Sequence, residues 1–173
     1  IQRKEYLEKL ISWRDKQMIK VVTGVRRCGK STLFRLYIDY LKSTGVTDEQ
    51  IISVNLEDLD HEDLLQYRSL YSYVKDRICK DKTTYVFLDE VQNCQHFEKA
   101  VDSLYIKPNI DVYITGSNAY MLSGELATLL SGRYITIDML PLSFREYLEA
   151  CDTRETNSKD QFNDYIRFGS FPY

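Results

Sequence analysis

The residues best suited to chemistry lie in one glycine-rich stretch near the start of the chain. Residues 24–31 read Gly-Val-Arg-Arg-Cys-Gly-Lys-Ser, between a short β-branched run and an amphipathic segment. Gly24 and Gly29 permit backbone angles that a Cβ forbids, so successive N–H groups can turn towards phosphate oxygens. Lys30 can reach β- and γ-phosphates, and the hydroxyl of Ser31 can ligate Mg²⁺. The stretch satisfies the Walker A pattern and predicts a site for a nucleoside triphosphate.

The remaining loop residues are assigned to the same site. We expect Arg27, Cys28 and Thr32 to complete the phosphate-binding set, because the helix that starts near Lys30 directs its N-terminal N–H groups at the ligand. The side chains of Arg26 and Arg27 either strengthen the positive field at the phosphates or lie in solvent. A chance match in a basic turn is the alternative, but a strand before the loop and a helix after it make that rare.

Two carboxylates follow the third apolar run. Residues 84–88 (TYVFL) end in Asp89 and Glu90. Since ligands of parallel α/β sheets bind beyond the carboxyl ends of the strands, both acids should face the same cleft as the glycine loop. We expect Asp89 to hold Mg²⁺, through water or Ser31, and Glu90 to orient and deprotonate an attacking water. The structural alternative is that the two acids only cap the end of the strand. Their occurrence in the same chain as the glycine loop favours a Walker B motif.

Polar residues also end the fourth apolar run, as Thr-Gly-Ser-Asn at positions 115–118. One of them can hydrogen-bond the γ-phosphate or the attacking water, and we select Ser117 and Asn118 as catalytic candidates. Both are equally suited to cap the helix that follows.

Two further polar residues, Arg133 and Asn55, are candidates for a functional role, and each also has a structural alternative. Arg133, just before the fifth apolar run, can face the nucleotide of a neighbouring subunit or pair with a helix dipole. Asn55, at the end of the second run, can hold Glu90 away from water, although a turn is its commoner role.

An α/β scaffold is needed to bring these residues together. Apolar runs of strand length alternate with segments of helical periodicity, which predicts a parallel sheet with helices on both faces. Ser143 and Glu146 have the spacing of a capping box at the start of one helix. The expected strands are 19–23, 51–56, 84–88, 111–115 and 134–139, and the expected helices are 4–15, 30–43, 62–79, 96–105, 122–130 and 144–150.

Length and composition favour a single globular core. The chain has 173 residues, is 43% hydrophobic and carries a net charge of −3, which suits one well-packed domain. Its four cysteines form no CxxC pair, so we expect no disulfide or zinc framework and a reducing, cytoplasmic setting. No apolar run approaches 18 residues and no leader is seen, so neither a membrane span nor export is expected.

The charges are unevenly distributed along the chain. Residues 1–44 carry 11 Lys and Arg against 4 Asp and Glu. A basic region can meet the phosphates of a nucleotide or a nucleic acid, although solvated helix faces explain the charges equally well. No DNA-reading module is recognised, and a nucleic-acid partner stays open.

Domain organisation follows from the loop-like stretch at residues 152–160. We assign residues 1–151 to the core with its N-terminal helix, and residues 152–173 to a linker and the start of a lid or C-terminal region of a longer protein.

Taken together, the segments TGVRRCGKSTL, FLDEVQN, ITGSNAYML, LSGRYITIDMLPLSFREYL and FGSFPY resemble the AAA_14 family of AAA+-type P-loop ATPases. The resemblance covers about residues 3–173. It implies a three-layer α/β/α sandwich with a five-stranded parallel sheet in the order 5-1-4-3-2. It also implies family roles for Lys30, Ser31, Asp89, Glu90 and a polar residue of strand four.

The resemblance carries further expectations about partners and about the loop. Arg133 would be supplied to a neighbouring subunit of a homo-oligomer, and a C-terminal domain of the DUF4143 type would follow. The lid with which AAA+ proteins grip adenine is absent or only begun. Cys28 stands where many relatives have valine or another small residue, which should make the loop sensitive to alkylation.

The motifs predict Mg²⁺-dependent binding and hydrolysis of ATP, coupled to a conformational change of an attached domain or partner. ATP is preferred to GTP because no [NT]-K-x-D tetrapeptide follows the third strand. A nucleotide-binding switch or scaffold with little turnover is the alternative. A small-molecule kinase fits less well, because residues 118–135 lack an arginine-rich clamp.

Overall fold

Five parallel strands form the sheet at the centre of the fold. The computed structural model describes residues 3–117, 130, 132–150 and 158–169. The strands lie in the order β2-β3-β4-β1-β5, and every neighbouring pair is parallel. This confirms the predicted order 5-1-4-3-2. The strands are β1 (Ile19–Gly24), β2 (Ile51–Asn55), β3 (Thr84–Asp89), β4 (Ile110–Thr115) and β5 (Tyr134–Met139).

Helices cover both faces of the sheet, as the alternation of the sequence predicts. One face packs against α1 and α2, and the other packs against α3 and α4. None of the helices in the described ranges is long and apolar enough to cross a membrane. The α-helices are α1 (Lys4–Ser12), α2 (Lys30–Ser43), α3 (Tyr67–Lys75), α4 (Phe97–Tyr105), α5 (Phe144–Ala150) and α6 (Ser158–Phe168), and 3₁₀ turns occupy Asp48–Gln50, Leu59–Leu64 and Val91–Asn93.

Burial along each strand follows its place in the sheet. Every residue of β1 and β3 is buried, as expected of central strands covered on both faces. The edge strands β2 and β5 contain exposed positions. Along β1, Ile19 and Val21 face the α3–α4 side, whereas Val22 packs with Phe34 and Tyr37 on the α1–α2 side. Each such side chain contributes about 1.5–3 kcal/mol by burial.

Two predicted helices are shorter in the structure. The segment 62–79 splits into a 3₁₀ turn and α3, because Gln66 is extended and pairs with Gln95 in an isolated bridge. The first helix ends at Ser12, and Asp15 adopts a left-handed conformation with φ of 57° that cannot continue it. The helix expected over 122–130 lies outside the described residues, apart from Leu130, which is buried in the core.

A buried polar network joins β1 and β4 near their amino ends. The ammonium of Lys20 donates to Asp111, whose other oxygen accepts from Tyr113 at 2.8 Å and from the N–H of Asp15 at 2.9 Å. The hydroxyl of Tyr113 lies 2.9 Å from that of Tyr37. Burial raises the pKa of Asp111 and lowers that of Lys20, while each charge favours the other. The network anchors the connection that leads into β1, the strand that ends at the glycine loop.

Candidate nucleotide site

The glycine loop runs from the end of β1 to the first residue of α2. Gly29 has a φ of 100° and directly precedes Lys30, the first residue of α2. A Cβ on Gly24 would lie 2.5 Å from the carbonyl oxygen of Met139 and 2.7 Å from Sγ of Cys28. The loop therefore fits against β5 only with glycine at position 24, as the motif requires. Arg27 adopts a φ of 66° at the turn.

A cleft of about 680 Å³ opens over this loop. It contains most of the residues predicted from the Walker A pattern, and it adds four that the pattern did not indicate. The lining consists of Arg3, Arg26, Arg27, Cys28, Gly29, Lys30, Ser31, Thr32, Glu57, Glu90 and Leu142. A concave site at a helix N-terminus with clustered cations is suited to bind a polyphosphate.

Lys30 is buried at the base of the cleft, with 4% of its surface exposed. Its ammonium lies 3.4 Å from the carbonyl oxygens of Gly24 and Val25 and 3.4 Å from Oε1 of Glu90. The ammonium therefore lies between two carbonyl oxygens of the glycine loop and a carboxylate that lines the cleft.

The carboxyl end of β3 places both predicted acids beside the loop. Glu90 lines the cleft and has left-handed backbone angles, with φ of 52°. Asp89, the preceding residue and the last of β3, is buried with 8% exposure. The hydroxyl of Thr115 at the end of β4 connects them: it donates to Oδ1 of Asp89 and accepts the N–H of Glu90 at 2.9 Å. Thr115 thus orients the carboxylate of Asp89 and holds the backbone of Glu90.

Gln92 holds the other side of the Glu90 carboxylate. Its Nε2 donates to Oε2 of Glu90 at 2.5 Å, and its own Oε1 is buried without a hydrogen-bond partner. Sequence reasoning missed this residue, although it stands two positions after Glu90. The 3₁₀ turn Val91–Asn93, which brings it back over the acid, has no distinct signal in the sequence.

Ser31 and Asp89 suit a magnesium ion in the manner expected of a P-loop. Ser31 is exposed and lines the cleft, and Asp89, which is 8% exposed, ends β3 one residue before the cleft-lining Glu90. Within the described part of the chain no cluster of three or more His, Cys, Asp and Glu side chains could hold a metal. One hydroxyl and one carboxylate match the few protein ligands that Mg²⁺ takes when phosphates and water supply the rest.

Of the two catalytic candidates that follow β4, Ser117 and Asn118, the structure describes only Ser117. Ser117 is half-buried two residues beyond the strand and does not line the cleft. Asn118 lies outside the described residues. Thr115 is the residue of this tip that contacts both acids, and the polar end of the fourth apolar run was the signal for it.

The contacts of Arg26, Arg27 and Asn55 bear on the alternatives left open for these residues. Both arginines line the cleft. Arg26 forms an exposed ion pair with Glu57 at 2.7 Å, whereas Arg27 has no direct partner in any described contact. Asn55 accepts the N–H of Glu57 at 3.0 Å, so it stabilises a turn. The structure therefore supports the turn alternative for Asn55, and Gln92 makes the contact with Glu90.

Cys28 is fully buried, which overturns the expectation that it makes the loop sensitive to alkylation. No part of its surface is exposed, and it packs with Phe34 and Met139 in the core beside α2. Burial also raises the pKa of its thiol, so little of the reactive thiolate is present at neutral pH.

Arg133 lies at the amino ends of the strands, whereas the glycine loop lies at their carboxyl ends. It directly precedes β5, and its carbonyl accepts the N–H of Ile19 at the start of β1. The exposed guanidinium lies 5.7 Å from the ring centre of Tyr105. Since the glycine loop follows the other end of β1, Arg133 cannot contact a nucleotide bound by its own chain.

Known proteins resemble this chain in sequence and in fold. A family model described as an AAA domain, AAA_14, matches residues 16–148. An uncharacterized protein of Haemophilus influenzae is 39% identical over 99% of this chain and 44% of its own length. The chain spans less than half the length of the curated relatives it matches.

Two solved structures share the fold at low sequence identity. A Walker-type ATPase of Pyrococcus abyssi superposes with a TM-score of 0.60 at 15% identity, over 95% of this chain and 62% of that one. AMPPCP-bound DnaA from Aquifex aeolicus gives a TM-score of 0.52 at 13% identity, over 95% of this chain and 58% of that one.

Proposed function

The chain belongs to the AAA_14 family of AAA domains, and on that premise we propose that it binds Mg·ATP and hydrolyses it to drive a conformational change in an attached domain or partner. The observation that carries this proposal is the convergence of Lys30 and Glu90 in one cleft, 3.4 Å apart. A cationic phosphate contact and a candidate general base must both reach the γ-phosphate, and this cleft brings the two side chains together beside the glycine loop.

The residues of the site have separate roles in the proposed binding and hydrolysis of ATP. Backbone N–H groups of the loop and Lys30 would bind the phosphates, and Ser31 with Asp89 would hold Mg²⁺, which neutralises charge on the phosphate oxygens. Glu90 would accept a proton from the attacking water. Thr115 keeps Asp89 and Glu90 in fixed relative positions. Ser117 and Asn118 remain proposed contacts of the γ-phosphate.

Arg133 would act between two copies of the chain. Its exposed position at the amino ends of the strands, away from the cleft of its own chain, suits donation to the cleft of a neighbouring subunit, where a guanidinium can stabilise charge on the transferred phosphoryl group. Activity that rises faster than linearly with protein concentration in the wild type, and linearly in Arg133→Ala, would support this role.

Equilibrium binding tests the nucleotide and metal parts of the proposal. A fluorescent ATP analogue is titrated into the full-length protein with and without Mg²⁺, for the wild type and for Lys30→Ala, Asp89→Asn and Lys42→Ala. Lys30→Ala should weaken binding at least tenfold, because charge-assisted contacts to phosphate are lost. Asp89→Asn should remove most of the Mg²⁺ dependence.

Lys42 is the matched control, since it is an exposed lysine of the same helix paired with Asp48. Equal affinity of Lys30→Ala and Lys42→Ala would refute a nucleotide site in this cleft. A wild type that binds ATP without turnover would instead support the switch alternative.

A further inference from the structure

Arg3 stands in the wall between two clefts. It precedes α1, and its side chain is 3% exposed. It lines the nucleotide cleft and also a second cleft of about 600 Å³, which residues of α5, Tyr165 of α6 and the Leu140–Ser143 connection help to line. A residue with atoms in both walls can respond to a ligand in one cleft and alter the other.

The guanidinium of Arg3 is buried but incompletely bonded. Its Nη2 donates to the carbonyl of Leu140, and its Nε lies 3.3 Å from Oε1 of Glu146 in an ion pair. Nε and Nη1 have no hydrogen-bond acceptor. Buried donors without acceptors raise the free energy of the structure because they have lost their contact with water, so these two groups are suited to donate to acceptors of a ligand in the cleft.

The sheet order places Arg3 at the nucleoside end of the cleft. Glu90 follows β3, which lies two positions from β1 on one side, whereas β5 lies beside β1 on the other. A triphosphate whose γ-phosphate lies near Glu90 therefore extends its ribose and base towards the β5 side. Arg3 and Leu142 line the cleft at that side. Ribose oxygens and purine ring nitrogens supply acceptors there.

Glu146 connects this point to the C-terminal helices. Its Oε2 accepts from the N–H and the hydroxyl of Ser143 at 2.9 Å and 2.8 Å, so the predicted capping box is present at the start of α5. The helix then packs on α6, with ring centres of Phe144 and Phe162 5.0 Å apart. Any shift of Arg3 that changes its ion pair with Glu146 acts directly on this helix start.

We propose that Arg3 contacts the nucleoside part of the bound nucleotide and, through Glu146, transmits occupancy of the cleft to α5 and α6. This inference rests on the proposed function, because it needs a nucleotide in the cleft. The ion pair between Arg3 and Glu146 is the route by which nucleotide binding would reach α5 and α6. Arg3 is a binding residue in this account, and Glu146 is a positioning residue that acts through it.

Hydrogen exchange of α5 in full-length protein, with and without saturating Mg·AMPPNP, tests the coupling. In the wild type, exchange of α5 amides should change on addition of the nucleotide. Glu146→Gln retains the capping box, so it should fold and bind within twofold of the wild type, but α5 should no longer respond. Arg3→Gln should weaken binding about tenfold, and Arg3→Lys, which lacks the planar fork, should recover only part of it.

Glu149→Gln is the matched control, because Glu149 lies one turn later on α5 and pairs with exposed Arg145 instead of Arg3. It should respond as the wild type does. A wild type that binds AMPPNP without any change in α5, or a Glu146→Gln variant that responds normally, would overturn the coupling and leave nucleotide binding intact. Failure of the wild type to bind at all would overturn both proposals. If Arg3→Gln does not fold, the Glu146→Gln comparison decides.

Discussion

The ammonium of Lys30 lies 3.4 Å from Oε1 of Glu90, so the loop cation and the candidate base neutralise each other across the cleft. Both side chains are shielded, at 3% and 16% exposure, which strengthens the pair relative to a surface ion pair. Phosphates carry more negative charge than one carboxylate and would compete for Lys30. Nucleotide binding would then free one oxygen of Glu90 for a water.

Gln92 should orient Glu90 once Lys30 has left it, because it holds the other carboxylate oxygen at 2.5 Å. Gln92→Ala is expected to lower kcat for phosphate release about tenfold while KM for ATP stays within twofold. Steady-state kinetics separate the two constants. Asn93→Ala is the control, since that neighbour donates to the carbonyl of Leu56 at 3.3 Å and leaves Glu90 untouched. An unchanged kcat in Gln92→Ala would contradict the prediction that Gln92 orients Glu90 for catalysis.

Gly24→Ala should destabilise the fold and distort the glycine loop. The added methyl would lie 2.5 Å from the Met139 carbonyl oxygen, so β5 or the loop must shift, at about 1–3 kcal/mol. Gly45→Ala is the control for backbone strain alone, because its Cβ meets nothing within 4 Å although φ is 95°. That variant should lose about 1 kcal/mol. Urea unfolding measures both, and equal losses would argue against close packing of the loop on β5.

Cys28 should be among the least reactive thiols, because its burial excludes reagent and raises its pKa. Under brief iodoacetamide treatment we expect Cys79, which is partly exposed, to be modified well before Cys28 and Cys94. Burial raises the pKa of Cys94 to about 11. Peptide mass mapping gives the order of modification. Labelling of Cys28 at the rate of Cys79 would mean that the loop opens readily in solution.

Much of this fold follows from local patterns. Central strands are apolar runs because both faces are covered, and every strand bound agrees with the prediction to within one residue. Lys30, Ser31 and Thr32, which the glycine motif grouped together, line one cleft, because the loop is short and its neighbours in sequence are neighbours in space. The sheet order came from the family resemblance.

Contacts between distant segments were not predictable in the same way. Arg3 reaches Leu140 and Glu146 across more than 130 positions of sequence, and no local pattern signals that contact. The bridge between Gln66 and Gln95 interrupts a helix whose periodicity continues through it. Both depend on how elements pack, which a single sequence does not reveal.

The buried pair of Lys20 and Asp111 should be a major determinant of stability. Lys20→Met leaves the carboxylate without its charge partner, and Asp111→Asn leaves the ammonium uncompensated, so each should cost about 3–5 kcal/mol. The double variant should lose less than the sum of the two, because neither charge then remains unpaired. Urea denaturation of all four proteins completes the cycle, with Lys42→Met, at an exposed pair, as a control expected to lose under about 1 kcal/mol. Additive losses would contradict a direct interaction.

Phosphate release from Mg·ATP by full-length wild type and Glu90→Gln, measured with ATP binding by the same samples, tests the central claim most directly. Glu90→Gln should bind ATP at least as tightly as the wild type, because Lys30 loses a competing carboxylate, and should release phosphate at least 100-fold more slowly. Equal release by both proteins, or wild-type release at background despite ATP binding, would contradict hydrolysis with Glu90 as the base.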